Sequence, residues 1–483
     1  MSSAPISQHS ECPSTDNMAK ESVCTARSAP QLPVIIIGAG ISGLLLAQHL
    51  LRQGIHFRIF ERDHDFATRG VGWGLTLHWA LSAAQDLLGE DLFAKLEDTY
   101  VDRESVEAGL TSRFPFYDLS TGQRKAATPD IPNNLRVRVT RERLRRLLAT
   151  GIEIEWRKSF SNFLETSDPG TATSSVVVNF EDGTSCAGRL LVACDGGSSR
   201  VRRQLVPKLD QQHRVKIPVC VMGLKLDLSP EQIAPLRALD PFFLQGCSSE
   251  NDSFLFCSVL DAPRNNAESS GSYALQICVS WPYREGFLGR SSPLEVPESN
   301  QQRHELLDEL AQTWAEPFRS VFRDIPDAAE IKNIELHDWA PPYGFRSAGS
   351  VLLMGDALHH MVMYRGEGAN HAIIDVQDFA RLITPVLRGD AAAQPPNGGD
   401  RPEATAGLQV QGANEPNQDR SLRDALDRYE AIAVDRARPG VLASRRACLD
   451  AHDWARIGTE SPLLCKRQMK ISYDEEKDKI LLE

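Results

Sequence analysis

The sequence predicts an α/β chain, α+β overall: a discontinuous Rossmann-like nucleotide-binding domain, an inserted and mainly antiparallel β-sheet, and C-terminal helices. Three observations predict it. A buried strand, a glycine turn and a helix follow one another in LPVIIIGAGISGLLLAQHLLRQGIHFRIFERD, Leu32 to Asp63. Alternating stretches such as VKIPVCVMGLKLDL and SYALQICVSW occupy the middle of the chain. Beyond them, GSVLLMGDALHHMVMYRGEGANHAIIDVQDFARLI returns to buried strand, glycine-bearing loop and helix, so the first domain resumes after an interruption.

The apolar run Val34 to Ile37 reads as a buried parallel strand, and Gly38-Ala39-Gly40-Ile41-Ser42-Gly43 follows it directly. Each glycine has a duty: Gly38 makes the tight turn, Gly40 lets the backbone approach a pyrophosphate, and Gly43 lets helix and strand pack closely. Leu44, Leu45, Ala47, Leu50 and Leu51 give the helix a broad apolar face, Gly54 can end it, and Ile55 to Phe60 is a second strand. Glu61 stands at the end of that strand, 21 residues after Gly40, where a carboxylate accepts hydrogen bonds from ribose hydroxyls. It would repel a 2′-phosphate, so the expected ligand is FAD or NAD rather than NADP.

A helix-rich region follows, with a glycine cluster in RGVGWGLTLHWAL, Arg69 to Leu81. In LRVRVTRERLRRLL an alternating strand, Leu135 to Val139, gives way to a helix that Thr140 can cap and Glu142 favours through the dipole. Arg136, Arg138, Arg143, Arg145 and Arg146 read as a solvated, salt-bridged face. A hairpin turning at Asp182-Gly183 leads into a strand, Arg189 to Ala193, which ends in Asp195-Gly196. The expected organisation is a disordered tail at 1–31, a first nucleotide-domain part at 32–205, a substrate domain at 206–345 and a second nucleotide-domain part at 346–387. A flexible insertion at 388–421, a helical segment at 422–460 and a tail at 461–483 complete it.

The 483 residues suffice for two or three cores, and 41% hydrophobic with 24% charged is ordinary soluble composition. A formal charge of −12 leaves no surplus to neutralise phosphates, which argues against nucleic acid as a partner. No apolar stretch approaches the ~20 residues that span a bilayer, and no basic then apolar leader opens the sequence, so a cytoplasmic protein without a transmembrane segment is expected. The ten cysteines are scattered, the closest pair being Cys186 and Cys194, and read as buried small hydrophobes. Adjacent His359 and His360 point apart on a helix or turn, with no acid or cysteine at ligand spacing, so they read as packing residues and no metal site is expected.

Three motifs recur in order: the glycine turn at 38–43, Asp195-Gly196 after a strand, and Gly355-Asp356 after another. Together they resemble the FAD-dependent aromatic hydroxylases, the single-component flavoprotein monooxygenases of the para-hydroxybenzoate and salicylate hydroxylase kind. The similarity runs from Pro33 to about Arg446, and YRGEGANHAIIDV looks closest to the fungal branch that oxidises secondary metabolites. The resemblance implies FAD as cofactor, with Asp356 on the ribityl chain and the Gly366-Glu367-Gly368-Ala369-Asn370 loop under the isoalloxazine. It implies contacts from Arg141 and from Gly74, and it associates Asp195 with both FAD and nicotinamide. A helix start under the ring suits the negative charge of a reduced flavin. Met363 stands where the family usually carries a proline, and His360 where another is common, which points to a less rigid loop or one shaped for a bulky apolar substrate.

The implied activity is that of an FAD-dependent monooxygenase. NAD(P)H binds transiently, reduced flavin meets dioxygen, and a C(4a)-hydroperoxide delivers one oxygen to an aromatic, polyene or polyketide-like small molecule by hydroxylation, dearomatisation or epoxidation. The activating base or arginine is expected within 206–345, where no motif identifies it, so no catalytic residue is assigned. A Baeyer-Villiger oxygenation would use the same peroxide. Halogenation lacks its tryptophan-rich signature, an NAD-dependent dehydrogenase leaves the Gly355-Asp356 segment unexplained, and a non-catalytic nucleotide-binding protein would make Met363 and His360 marks of decay.

Overall fold

Val34–Ile37 forms a strand at the centre of a five-stranded parallel sheet in the computed structural model, which describes residues 31–69, 72–128, 135–167, 174–265, 271–322, 325–390 and 417–473. The sheet runs Val351–Leu353, Leu190–Ala193, Val34–Ile37, Phe57–Phe60, Ile154–Glu155. Val34 pairs with Leu190 on one side and Phe57 on the other. Strands far apart in the chain are thus neighbours in one layer, so this sheet is assembled from discontinuous stretches of the sequence. Near-continuous apolar runs suit strands buried on both faces. The helix Ile41–Arg52 buries Leu44, Leu46, Ala47 and Leu50 and packs on the helix Gly368–Leu382, while Leu51 faces outward.

A second, seven-stranded sheet runs Lys332–Asn333, Val219–Leu228, Tyr273–Pro282, Phe254–Asp261, Phe243–Cys247, Phe116–Asp118, Arg124–Ala126. All its pairings are antiparallel except that of Phe243–Cys247 with Phe116–Asp118. Its last two strands come from upstream of residue 206. Side chains alternate across a strand, and that period divides the sheet's two faces. Leu255, Cys257 and Val259, with Leu275, Ile277, Val279 and Trp281, join a core closed by the helix Asn300–Gln312 and Trp314. The intervening Phe254, Phe256, Gln276 and Cys278 face the other way, into a cavity.

Several local expectations are corrected. The strand expected at 135–139 is Val137–Thr140; it pairs with Gly74–Leu77, a strand within the region read as helix-rich. Leu135 is exposed and outside it. Thr140 precedes the helix Arg141–Leu148 without capping it, because its hydroxyl donates to the Leu260 carbonyl and ties this helix start to the second sheet. The hairpin about Asp182-Gly183 forms between Ser174–Phe180 and Ser185–Gly188. The long helix Asn417–Asp450 packs on Gly368–Leu382, and residues 461–473, part of the expected tail, fold back over the Met363–Arg365 turn. The tail before Gln31, Gly70 and Val71 of the glycine cluster, 391–416 of the expected insertion and 474–483 lie outside the described residues. Among the described residues no helix is long and apolar enough to cross a membrane.

Candidate active site

One cavity of about 1640 Å³ lies between the parallel sheet's glycine turn and the cavity face of the seven-stranded sheet. That exceeds the ~300–1,000 Å³ of a site for one small molecule and leaves room for two ligands. Of the residues singled out in the sequence, Gly38, Gly40, Glu61, Gly74, Arg141, Asp195, Asp356, Gly366, Gly368 and Ala369 line it. Gly43, Gly355 and Asn370 do not; they shape it from behind.

The glycine turn is built by exclusion. Gly38 has φ +105°, and a Cβ there would fall 2.4 Å from the Cys194 carbonyl oxygen. A Cβ on Gly43 would fall 2.0 Å from the Gly38 oxygen, so helix and turn touch only because no side chain intervenes. At Gly40 the nearest atom would be 4.0 Å away, which leaves that backbone open to the cavity. No side chain caps the helix start that follows, a geometry that suits an anion. Glu61 accepts from Ala39 N at 2.8 Å and from Asp63 N at 3.1 Å, which fixes the carboxylate at the rim of the turn.

Arg143 and Arg146 keep the salt-bridged face expected of them, paired with Asp261 and Glu142, whereas the other three arginines depart from it. Arg145 is buried, donates from Nε to the Ala39 carbonyl at 2.9 Å and lines the cavity beside the glycine turn. Arg136 and Arg138 line it as well. Arg145→Ala is therefore expected to weaken retention of a diphosphate ligand about 10- to 100-fold, the scale of one charge-assisted hydrogen bond. Equilibrium dialysis of the purified variant against flavin dinucleotide measures it.

Further along the cavity, Asp195 Oδ2 accepts from Arg200 N at 2.7 Å and Val201 N at 3.3 Å, and burial pushes its carboxyl up. Its other oxygen, Oδ1, is buried with no partner among the described residues. Asp356 leaves 46% of its side chain open, yet it lies deep in the protein, so the opening is to the cavity. Burial raises its carboxyl, but His360, His359 and Arg141 outweigh that and hold it below the usual range. The turn before it is pinned from behind: Asp375 Oδ2 accepts from Gly355 N at 2.7 Å and pairs with His359 Nε2 at 2.7 Å, while Oδ1 meets Arg436. His359 is thus buried, as a packing histidine would be. His360 packs too, its ring lying where a Cβ on Gly197 would fall 2.5 Å away, and it also lines the cavity.

Gly366 ends the Met363–Arg365 turn, and Gly368 and Ala369 begin the uncapped helix Gly368–Leu382. Asn370 spends its amide within the protein, donating to Thr76 O at 2.9 Å and accepting from His78 N at 2.9 Å, so it anchors this helix to Gly74–Leu77. Gly74 donates its N–H to Gln276 Oε1 at 2.9 Å, and a Cβ there would stand 2.4 Å from an Arg138 nitrogen. Met363, 40% exposed, lines the cavity at the short Met363–Arg365 turn.

At the opposite end Phe114, Phe243, Phe254, Phe256, Gln245 and Gln276 make an aromatic compartment. Burial and the charges of Arg467, Arg136 and Arg365 lower His78 to about 3. Arg467, from the segment read as a tail, donates to the Cys465 carbonyl at 2.7 Å and closes this end. Arg138, Arg145, Gln276 and Arg467 are the site residues that sequence reasoning missed. The alternation of Arg136 and Arg138 with Val137 and Val139 carried a signal for the first, because a strand turns both arginines to one face. No group of three or more His, Cys, Asp or Glu side chains stands together to hold a metal among the described residues.

The groups present fit a flavin dinucleotide. An open glycine cradle and a bare helix start suit the diphosphate, and the unpartnered Asp195 oxygen, with Asp356 facing the cavity, suits hydroxyls along the ligand. The FAD binding domain family matches residues 31–235 and 335–395. A protein of Arthroderma benhamiae named "Probable FAD-dependent monooxygenase" is 40% identical over 90% of this chain and 95% of its own length. The FAD-dependent monooxygenase dbaB of Emericella nidulans is 37% identical over 74% and 88%. Among solved structures, Klebsiella pneumoniae HpxO complexed with FAD and uric acid superposes with a TM-score of 0.61 at 20% identity, covering 88% of this chain and 90% of that one.

Proposed function

Since this chain belongs to the FAD-dependent monooxygenases of the FAD binding domain family, we propose that it consumes NAD(P)H to insert one atom of dioxygen into an aromatic or polyene secondary metabolite. The outcome would be a hydroxylation, a dearomatisation or an epoxidation. The observation that carries this reading is a single cavity with a dinucleotide cradle at one end and an aromatic compartment at the other. Bound flavin supplies the two-electron chemistry that activates dioxygen. The protein's own part is to hold and enclose. Gly40 and the helix start would receive the diphosphate, Glu61 the adenosine ribose, and Asp195 and Asp356 the ribityl hydroxyls, with Arg141 beside Asp356. The uncapped start of Gly368–Leu382 would face the ring and stabilise negative charge there. Phe254, Phe256 and Phe243 would align a planar substrate and keep water out. A ring bearing several oxygens, like the uric acid held by the HpxO relative, suits this compartment. We place the reaction in the cytoplasm, a reading that the eight free cysteines among the described residues support.

The test is direct. Purified protein should be yellow, and hydroxylated aromatics should stimulate its oxygen-dependent oxidation of NADPH or NADH with label from heavy-isotope dioxygen entering the product. Colourless protein that refuses added FAD would overturn the reading. Asp356→Ala is expected to bind FAD about 10- to 100-fold more weakly than the parent, as loss of a charged acceptor requires. Flavin fluorescence titration measures it.

A further inference from the structure

We propose that Arg138 receives an anionic oxygen of the substrate, so that the enzyme selects aromatic molecules that are ionised when bound; this rests on the function proposed above. The guanidinium is buried, with the residue only 8% exposed, and it lines the aromatic end of the cavity. Every partner it has is neutral. Thr76 Oγ1 lies at 3.0 Å, Ser258 Oγ at 2.7 Å and Gln276 Oε1 at 3.4 Å. Its Nε is buried with no acceptor, and no carboxylate pairs with it among the described residues. The acid near this end, Glu367, is engaged by Arg365 at 2.7 Å.

A buried cation without a counter-charge is costly, and a ligand that brings the charge removes that cost. The surroundings specify what kind of ligand. Arg138 lies 5.4 Å from the Phe243 ring centre and 5.6 Å from that of Phe256, so an aromatic body has walls to stack on while its oxygen meets the guanidinium. Arg136 and Arg467 line the same compartment and add positive potential. The position is fixed rather than adaptable: Gln276 Oε1 is shared between Arg138 and the Gly74 N–H, and the guanidinium rests on Gly74 where any side chain would intrude. Gly74 is thus required for the arginine's placement.

The experiment uses FAD-loaded full-length protein and three probes at neutral pH: lawsone, which is ionised, its neutral O-methyl ether, and naphthoate. Binding is read from quenching of flavin fluorescence. Lawsone or naphthoate should bind about 10- to 100-fold tighter than the ether, the worth of one charge-assisted hydrogen bond. If lawsone is favoured over naphthoate the group received is an enolate-type oxygen, and the reverse order assigns a carboxylate. Arg138→Gln should remove the preference while moving the ether's Kd less than about twofold, and Arg138→Lys should restore part of it. Should Arg138→Gln fail to fold, the parent's ion-to-ether ratio still decides. Equal affinity for ions and ether, no detectable binding of either ion, or equal losses in the variant would overturn the proposal. So would a variant that lowers the flavin's reduction potential with probe binding unchanged, because the charge would then serve the cofactor. Failure to take up FAD defeats the function proposed above, whereas yellow protein indifferent to charge defeats this inference alone.

Discussion

Gly43→Ala is expected to yield destabilised protein that emerges from purification without flavin. The added methyl group would sit 2.0 Å from the Gly38 carbonyl oxygen and 3.2 Å from Cys194 Cβ. The first of these is backbone, and the turn that carries it cannot yield, since Gly38 is itself held at φ +105° against the Cys194 carbonyl. The helix Ile41–Arg52 must therefore be pushed away from the strand, at a cost of about 1–3 kcal/mol or more in stability and with the diphosphate cradle opened. Gly54→Ala is the control. Unlike Gly43 it has a positive φ, +65°, but nothing lies within 4 Å, so it should cost only about 1–2 kcal/mol of backbone strain and keep its flavin. Thermal unfolding and the flavin-to-protein ratio after desalting measure both. A Gly43→Ala protein as yellow and as stable as the parent would refute the account of the turn.

The second large effect is an acid-driven loss of stability that begins below about pH 6.5. Burial lowers His452 to about 4, against small opposing contributions from the Cys448 carbonyl and Asp252, and it lowers His78 to about 3. Their folded values lie below the unfolded value of about 6.5, so the unfolded chain binds protons first. The stability they contribute is full above that value and is lost as pH falls toward 4 and then 3. Each group costs about 1.4 kcal/mol per pH unit in this window, on the order of 3 kcal/mol for His452. A lower stage follows from Asp375. Burial pushes its carboxyl up, but His359 and Arg436 hold it well below the usual range, so its contribution is present above about pH 4 and fades only in stronger acid. Urea midpoints measured across this range should decline steadily. In His452→Gln, which keeps a polar group near Ser280 Oγ, the decline between pH 6.5 and 4 should be shallower; an unchanged slope would remove the histidine from the explanation.

Much of the nucleotide half was legible because backbone sterics write themselves into sequence. Only glycine tolerates positions 38 and 43, and four successive large aliphatics directly before a glycine turn, Val34 to Ile37, suit a strand buried on both faces. The antiparallel sheet was legible through its period of two. The arginines were not. A charged residue in VRVTRERLRRLL looks the same whether it meets water or a cavity, and only the pairing of Val137–Thr140 with Gly74–Leu77 turns Arg138 inward. Gln276 and Phe256 were hidden for a related reason: alternation tells that a strand has two faces but not which of them meets a ligand. Arg467 lay beyond local reasoning, because its neighbours at the Met363–Arg365 turn are about a hundred residues earlier.

That last separation bears on how the holoenzyme is made. Arg467 donates to the Arg365 carbonyl across 102 residues, so one side of the compartment arrives well after the loop it covers. At roughly 5–20 residues per second a ribosome needs about 5–20 s to span that interval. Throughout it the nascent chain has its glycine turn but lacks one wall of the aromatic end, so the enclosure around that compartment is completed only near the end of biosynthesis.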